Sequence, residues 1–188
     1  MDSVKEYLDT DLGIKKIHPA MTTDYPTKEE NLTCYNKGCG ENGSVFCHAN
    51  TWAIIAECML GRPENAWKYY HQLLPMIAQK TAGAERYKAE PYVYSSNIFG
   101  PESDKFGLAN VSWLTGTAAW MYLAATQYLL GVRPTWDGLE IDPCLPEQLL
   151  PAKVTRVFRG CRYEITITKN QKLLLPHVDG RKQLTVTV

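Results

Sequence analysis

Apolar residues recur at helical spacing through the middle of the chain, between about residues 49 and 130. The runs with this spacing are TWAIIAECML at 51–60, ENAWKYYHQLL at 64–74 and TGTAAWMYLAATQYLL at 115–130. They stop at Gly61, Pro75 and Gly131 respectively. Glycine accepts the left-handed conformation of a helix C-cap, and proline cannot continue the backbone hydrogen bonds of a helix. The pattern therefore predicts long helices with defined ends.

The hydrophobic period changes to two after Pro134. In RYEITITK, at 162–169, Tyr163 and Ile165 fall on one face of an extended strand and the intervening polar residues on the other. The final run, QLTVTV at 183–188, repeats this alternation. The pattern predicts a helical domain over 1–134 and a small β domain over 135–188.

The segment 90–107 between the helical runs is rich in Pro, Ser, Asn and Gly. It is too long for a simple connection, and long ordered loops in compact domains are usually functional. Helices joined by such loops indicate an array of helical hairpins that carries a site on its loops.

Composition and charge narrow the class of protein. The chain has 188 residues, is 45% apolar and has no formal net charge, so it lacks the electrostatic signature of a nucleic-acid or anionic-membrane partner. Its longest apolar stretch, at 118–130, is shorter than the roughly 20 residues that span a bilayer. The chain does not open with a signal-peptide pattern, and we expect a cytoplasmic protein with neither kind of partner.

The six cysteines are expected to be free thiols in a reducing compartment. A zinc site is the alternative, and the residues of suitable ligand type are Cys34, Cys39, Cys47 and His48. These residues lack the short paired spacing of structural zinc sites, so packing is the favoured role and we expect no metal.

Most of the candidate functional residues lie in three motifs: GCGENGSVFCHANTW at 38–52, AEPYVYSSN at 89–97 and SWLTGTAAW at 112–120. In this order they resemble the inverting glycoside phosphorylases that act on cellobiose, chitobiose, cellodextrins and laminaribiose. The resemblance extends from about Leu8 to Pro146. It implies a mainly α fold, in which the C-terminal part of an (α/α)6 barrel precedes a small β-sandwich segment.

The resemblance implies that His48, Thr115 and Gly116 bind phosphate. In phosphorolysis, inorganic phosphate attacks the anomeric carbon directly, so the site has to hold a dianion with imidazole, hydroxyl and backbone N–H donors. From the residues alone, His48 could instead be a structural histidine that caps the following helix. Thr115 could serve only as an N-cap of the helix that runs to Leu130.

Sugar recognition is implied for Glu41, Tyr35 and Ser96, although a structural role for Glu41 and Tyr35 stays open. A carboxylate accepts hydrogen bonds from pyranose hydroxyls, and an aromatic ring covers the apolar face of the sugar. Cellobiose-type members commonly carry lysine where this chain has Gly40 and glutamine where it has Ser96. Laminaribiose, longer β-glucans and other β-linked disaccharides therefore remain open as substrates.

The general acid of the family is an aspartate well upstream of the ENG motif, and only about forty residues precede Glu41. We therefore expect no catalytic acid within this chain, which resembles a C-terminal fragment that is inactive alone. Phosphate is the expected co-substrate and no other cofactor is implied. Self-association, or association with the missing upstream part of the same enzyme, is expected. A non-catalytic carbohydrate-binding module and a structural fragment are the alternatives.

Overall fold

The computed structural model describes residues 1–22, 35–177 and 183–188. Its α-helices are α1 (Asp2–Tyr7), α2 (Cys47–Met59), α3 (Pro63–Leu73), α4 (Pro75–Ala82), α5 (Ala84–Tyr87) and α6 (Thr117–Leu123). A π-helix at Ala124–Leu129 continues directly from α6, and Glu147–Leu149 form a 3-10 turn. None of these described helices is long and apolar enough to cross a membrane.

The described strands are β1 (Asp9–Thr10), β2 (Gly13–Ile14), β3 (Val45–Phe46), β4 (Asn97–Ile98), β5 (Val132–Pro134), β6 (Gly138–Ile141), β7 (Ala152–Phe158), β8 (Cys161–Ile167), β9 (Leu173–Pro176) and β10 (Gln183–Thr187). They form two antiparallel pairs, β1–β2 and β3–β4, and two three-stranded sheets in the orders β5–β6–β9 and β10–β8–β7. All pairings are antiparallel except that of β10 with β8.

The predicted mainly α fold is wrong. Helix accounts for 34% of the structure and strand for 26%, in several small sheets, and no (α/α)6 barrel is evident in the part of the chain that the structure describes. The physical reason is that helical periodicity reports only local amphipathicity. The periodicity identified the apolar runs, but it could not predict the loops and the two-residue strands that separate them.

The predicted helical runs at 51–60 and 64–74 correspond to α2 and α3, and the helix prediction is confirmed for both. Gly61 ends α2 in a left-handed conformation (φ +64°), and its N–H donates to the carbonyl of Cys58. The third run, at 115–130, is not one continuous α-helix, because it divides into α6 and the π-helix.

The chain divides into two compact units. Unit 1 comprises Met1–Ala53 and Lys68–Trp120, and unit 2 comprises Ile54–Trp67 and Met121–Val188. These limits differ from 1–134 and 135–188, and the predicted domain division stays a prediction. Every residue of the three motifs falls in unit 1, so the site can be described within that unit alone.

Within unit 1, Asn50 ties the first turn of α2 to β2. Its buried side chain accepts a hydrogen bond from the N–H of Ile14 (2.6 Å) and donates to the carbonyls of Ile14 and Phe46, both at 2.9 Å. The residues that follow β2 run beside β3, and the N–H of Lys16 donates to the carbonyl of Ser44 (3.0 Å). This polar network fixes the direction in which α2 starts.

Unit 2 is built on the β7–β8 hairpin. Its two-residue turn, Arg159 and Gly160, has positive φ at both positions, as a type I′ turn requires. Along β8, Tyr163, Ile165 and Ile167 are at most 1% exposed and alternate with more exposed residues, which confirms the predicted period of two.

Candidate active site

The first two motifs meet along β3 and β4. Val45 pairs with Ile98, and the N–H of Cys47 donates to the carbonyl of Ser96 (3.1 Å). The two motifs also meet at their glycines, since the N–H of Gly100, just after the second motif, donates to the carbonyl of Gly38, the first residue of the first motif (2.8 Å). The loop at 89–100 is therefore held against the ENG segment by backbone contacts.

The third motif joins the other two. Ser112 forms an antiparallel bridge with Ser95, and the N–H of Ser96 donates to the carbonyl of Val111 (2.8 Å). Trp120 lies near the first motif, with its ring centroid 6.3 Å from that of Trp52 in an edge-to-face arrangement. The structure thus brings the three motifs together in unit 1.

His48 lies at the centre of this cluster. It is the second residue of α2, which begins earlier along the chain than the sequence predicted. Its ring centroid lies 6.2 Å from Phe46, 5.6 Å from Trp52 and 6.2 Å from Trp120. The Nε2 atom is buried and has no hydrogen-bond partner among the described residues. Nothing at this nitrogen supports the alternative helix-capping role.

Gly116 faces the imidazole directly. A Cβ placed on Gly116 would lie 3.6 Å from Cε1 and 3.8 Å from Nε2 of His48, which are ordinary van der Waals distances, so the glycine leaves room for a methyl-sized group beside the unpartnered nitrogen. Thr115 is not the N-cap residue that the sequence predicted, because α6 begins at Thr117. The Thr115 hydroxyl instead forms a hydrogen bond with the Thr117 hydroxyl (2.7 Å).

Glu41 is exposed and forms an ion pair that the sequence analysis missed. Its Oε2 accepts a hydrogen bond from Nζ of Lys16 at 2.5 Å. The same Nζ lies 4.4 Å from the centroid of the Phe46 ring, in cation–π geometry. Phe46 also contacts His48. Lys16 and Phe46 therefore connect Glu41, the predicted sugar ligand, to His48, the predicted phosphate ligand.

Tyr35 packs against the turn that precedes Glu41. A Cβ on Gly40 would lie 2.5 Å from Cδ1 of Tyr35, and Gly40 has a positive φ of +48°. A side chain at position 40 would therefore require the exposed Tyr35 ring to move. The buried amide of Asn42 holds this region, since its Nδ2 donates to the carbonyls of Tyr35 (3.0 Å) and Met21 (3.1 Å).

Ser96 is half-buried, and its backbone carbonyl accepts the hydrogen bond from the N–H of Cys47 at the start of α2. Its hydroxyl donates to Oδ1 of Asn97 (2.9 Å), so in this structure the side chain has a local partner. Nearby, Trp113 has an exposed side chain and a positive φ of +69°, which is uncommon for a bulky residue. Such strain is often found at ligand sites.

A partly buried polar cluster lies behind the ENG turn. Nζ of Lys15 donates to Oε1 of Glu102 and contacts Nδ1 of His18 at 3.0 Å. Burial raises the pKa of Glu102, but the hydrogen bonds from Lys15 and His18 outweigh it, so the net pKa lies below its usual range. Glu102 is therefore ionised at neutral pH.

The cysteines at the site do not form a nucleophile. Burial raises the pKa of Cys47 to about 11, against a smaller opposing effect of the Ser95 hydroxyl, so its thiol is neutral at pH 7. The Sγ atom of Cys39 lies 3.9 Å from the Ser103 hydroxyl. Cys34, the other cysteine of the alternative zinc set, lies outside the described residues.

A cavity of about 650 Å³ in unit 2 lies outside the three motifs. Its polar lining includes Arg133, Asp142 and Asn170. Arg133 already pairs with Asp142 (2.7 Å), and the Asn170 amide bonds both the N–H and the carbonyl of Leu145. Because these groups are already paired, the cavity is a weaker candidate than the cluster around His48.

Comparison with known families agrees with the assignment of the motifs. The description "Glycosyl hydrolase 94 superfamily, catalytic domain" matches residues 1–131, which is more than half of the chain. The chain belongs to the glycosyl hydrolase 94 superfamily. The match ends just before β5, so it covers all three motifs of this superfamily member.

Several curated proteins are similar to this glycosyl hydrolase 94 chain. Solabiose phosphorylase of Paenibacillus borealis is 35% identical over 187 residues, which cover 99% of this chain and 23% of that protein. N,N'-diacetylchitobiose phosphorylase of Vibrio proteolyticus is 39% identical, covering 89% of this chain and 20% of that protein. Cyclic beta-(1,2)-glucan synthase NdvB of Rhizobium meliloti (strain 1021) is 32% identical over 82% of this chain and 5% of its own length. The chain thus spans about a quarter or less of these relatives.

Two features of this superfamily member were not found by sequence reasoning. Lys16 lies in the run GIKKIHP, which resembles an ordinary solvated basic pair, and its partner Glu41 is far along the chain. Glu102 lies in a loop without periodicity, and its ion pair with Lys15 likewise joins distant positions. No local signal in the sequence indicates either pair.

We expect stability of this glycosyl hydrolase 94 chain to depend on pH through Glu102. Because its folded pKa is lowered, the stabilisation is present above the unfolded pKa of about 4.3 and is lost as the pH falls through the folded value. Glu102→Gln should lower the free energy of unfolding at pH 7 by about 1.5–3 kcal/mol. Urea denaturation at several pH values measures this, and the difference from wild type should shrink below about pH 4.

The exposed neighbour Asp104 provides the control. Asp104→Asn should change stability little at either pH, since surface charges contribute about 0–1 kcal/mol. A Glu102→Gln variant as stable as wild type at pH 7 would show that the Lys15 pair contributes nothing.

Proposed function

We propose that this chain supplies the phosphate- and sugar-binding part of a glycoside phosphorylase. The reaction is phosphorolysis of a β-linked disaccharide or oligosaccharide to a sugar 1-phosphate with inversion. Inorganic phosphate is the co-substrate, and no other cofactor is needed. Membership of the glycosyl hydrolase 94 superfamily and the phosphorylase names of similar proteins support this proposal.

The observation that carries the proposal is the environment of His48. Its Nε2 is buried without a hydrogen-bond partner among the described residues, and Gly116 leaves space beside it. Leaving a buried polar atom unsatisfied costs about 1–3 kcal/mol, so a bound phosphate oxygen at this nitrogen would be favourable. The Thr115 hydroxyl, on the residue before Gly116, can accept the hydrogen bond of the Thr117 hydroxyl and donate its own proton to the phosphate as a second donor.

The proposed roles follow from the charges in unit 1. An Nε2–H of His48 and the hydroxyl of Thr115 donate to phosphate oxygens, which orients the phosphate for attack on the anomeric carbon. Glu41 accepts hydrogen bonds from sugar hydroxyls at the adjacent subsite, with Tyr35 beside it. Ser96 takes part by exchanging its bond to Asn97 for one to the sugar.

The proton donor for the departing sugar is proposed to lie outside the described residues. The carboxylates close to the motifs already have partners: Glu41 with Lys16, Glu90 with the Ser112 hydroxyl and Glu102 with Lys15. A carboxylate held by such a partner is a poor candidate for the proton donor to a leaving sugar oxygen. The donor would come from another part of the enzyme, since the similar proteins are four or more times longer than their matched segments.

The finer parts of the proposal concern substrate, compartment and assembly. Solabiose, diacetylchitobiose and a glucosyl glucuronide are named for similar phosphorylases, and we propose a β-linked disaccharide of this general class. The described cysteines are free, which supports the cytoplasm as the compartment. Self-association, or association with the rest of the enzyme, stays a prediction.

Calorimetric titration of the 188-residue chain tests the proposal. Phosphate, glucose and a β-linked disaccharide such as laminaribiose are titrated separately, with sulfate as a control for nonspecific anion binding. We expect both phosphate and sugar to bind. Sugar binding alone would indicate a carbohydrate-binding module, and no binding of either ligand would indicate a structural fragment.

A further inference from the structure

We propose that Lys16 is a positioning residue for Glu41 and thereby helps to select an uncharged pyranose at this subsite. The inference rests on the proposed function, because it assigns a role within the same sugar site. Lys16 and Glu41 come from distant parts of the chain and meet at 2.5 Å. Their side chains are 19% and 53% exposed, so a half-buried lysine holds a carboxylate that faces solvent.

The ammonium group is itself held in place. Nζ of Lys16 lies 4.4 Å from the centroid of the Phe46 ring, and the backbone N–H of Lys16 donates to the carbonyl of Ser44. These two contacts restrict a side chain that is otherwise flexible. Lys16 therefore presents its charge in a fixed position before any ligand binds, which lowers the entropy cost of binding.

The residue directly before Glu41 carries no charge. Gly40 has a positive φ, and a Cβ there would lie 2.5 Å from Cδ1 of Tyr35, so a side chain would require the Tyr35 ring to move. The cation beside Glu41 is Lys16, which follows β2, and the bridge of Lys15 with Val45 holds this segment next to β3. The Tyr35–Gly40 contact and the Lys16–Glu41 pair are thus mutually consistent features of one subsite.

The pair determines what Glu41 can bind. Lys16 occupies Oε2, which leaves Oε1 to accept a hydrogen bond from a sugar hydroxyl. The charges of the pair cancel, so the subsite does not favour an acidic sugar over a neutral one. Without Lys16, the carboxylate would be free to rotate and would carry an uncompensated charge next to the ligand.

The test is an NMR titration of the 188-residue chain with glucose, comparing Kd for wild type, Lys16→Met and Lys16→Arg. Lys68→Met is the matched control, because Lys68 also pairs with a carboxylate, that of Asp9, and lies 5.9 Å from the Tyr69 ring. We expect Lys16→Met to raise Kd about five- to tenfold, Lys16→Arg to restore most of the affinity and Lys68→Met to leave it unchanged.

A double-mutant cycle separates positioning from general stability. In a Glu41→Gln background, Lys16→Met should have no further effect on the glucose Kd, because the residue that it positions is gone. Thermal melting of each variant checks that it is folded. An unchanged glucose Kd in Lys16→Met, or equal losses in Lys16→Met and Lys68→Met, would overturn the inference and leave the proposed function standing. A wild-type chain that binds neither phosphate nor glucose would overturn both.

Discussion

The purified 188-residue chain is expected to release no detectable sugar 1-phosphate from cellobiose, laminaribiose or diacetylchitobiose in the presence of phosphate. Glu41, Glu90 and Glu102 are engaged by Lys16, Ser112 and Lys15, and the pKa of Glu102 is lowered. Because these carboxylates already have partners, we expect none of them to be the proton donor to a leaving sugar oxygen. Loss of general acid catalysis alone costs about two to four orders of magnitude in rate.

The assay needs a positive control that shares the reaction. N,N'-diacetylchitobiose phosphorylase of Vibrio proteolyticus, assayed on diacetylchitobiose under the same conditions, shows that sugar 1-phosphate would be detected. If phosphorolysis by the purified chain exceeds the buffer rate by a factor of about a hundred or more, the proposal that the acid comes from another part of the enzyme, outside these 188 residues, is contradicted.

Gly100→Ala is expected to be the most destabilising single substitution at the site. A Cβ on Gly100 would lie 2.0 Å from the carbonyl oxygen of Gly43 and 3.0 Å from its carbonyl carbon. These are backbone atoms of the ENG turn, which cannot move aside without breaking the bond between the N–H of Gly100 and the carbonyl of Gly38. We expect a loss of about 3 kcal/mol, or roughly 6–12 °C in Tm, by thermal denaturation.

Gly116→Ala is the matched control for stability. Neither glycine has a positive φ, but a Cβ on Gly116 would meet its nearest neighbour, Cε1 of His48, at an ordinary van der Waals distance of 3.6 Å. We expect its Tm to stay within a few degrees of wild type. Equal Tm values for Gly100→Ala and wild type would mean that the close contact between the two loops is not required.

The sequence predicted the elements whose signals are local. The run at 51–60 is helical because apolar residues recur at the right spacing before Gly61, and the alternation around Ile165 produces β8. The mainly α fold was wrong because periodicity says nothing about segments without a period. The pairing of β3 with β4 involves strands of two residues, which are too short to carry a pattern.

The site was predictable as a set of motifs but not as a network. The motifs include His48, Gly116 and Ser96, and the structure brings their three segments together, while the binding roles of these residues stay predictions. Lys16 could not have been found, because an ion pair leaves no periodic signal. The position of Thr115 before α6, rather than at its N-cap, depends on where the helix begins, which sequence patterns locate poorly.

The most direct test of the proposed phosphate site is NMR spectroscopy of ¹⁵N-labelled histidine side chains during titration with phosphate. His48→Ala identifies the His48 signal by removing it. We expect phosphate to shift Nε2 of His48 towards the position of a protonated, hydrogen-bonded nitrogen, while the signals of His18, His71 and His177 stay unchanged and equal concentrations of chloride have no effect. A His48 signal that does not respond to phosphate, or phosphate binding that is equally tight in His48→Ala, would contradict the account.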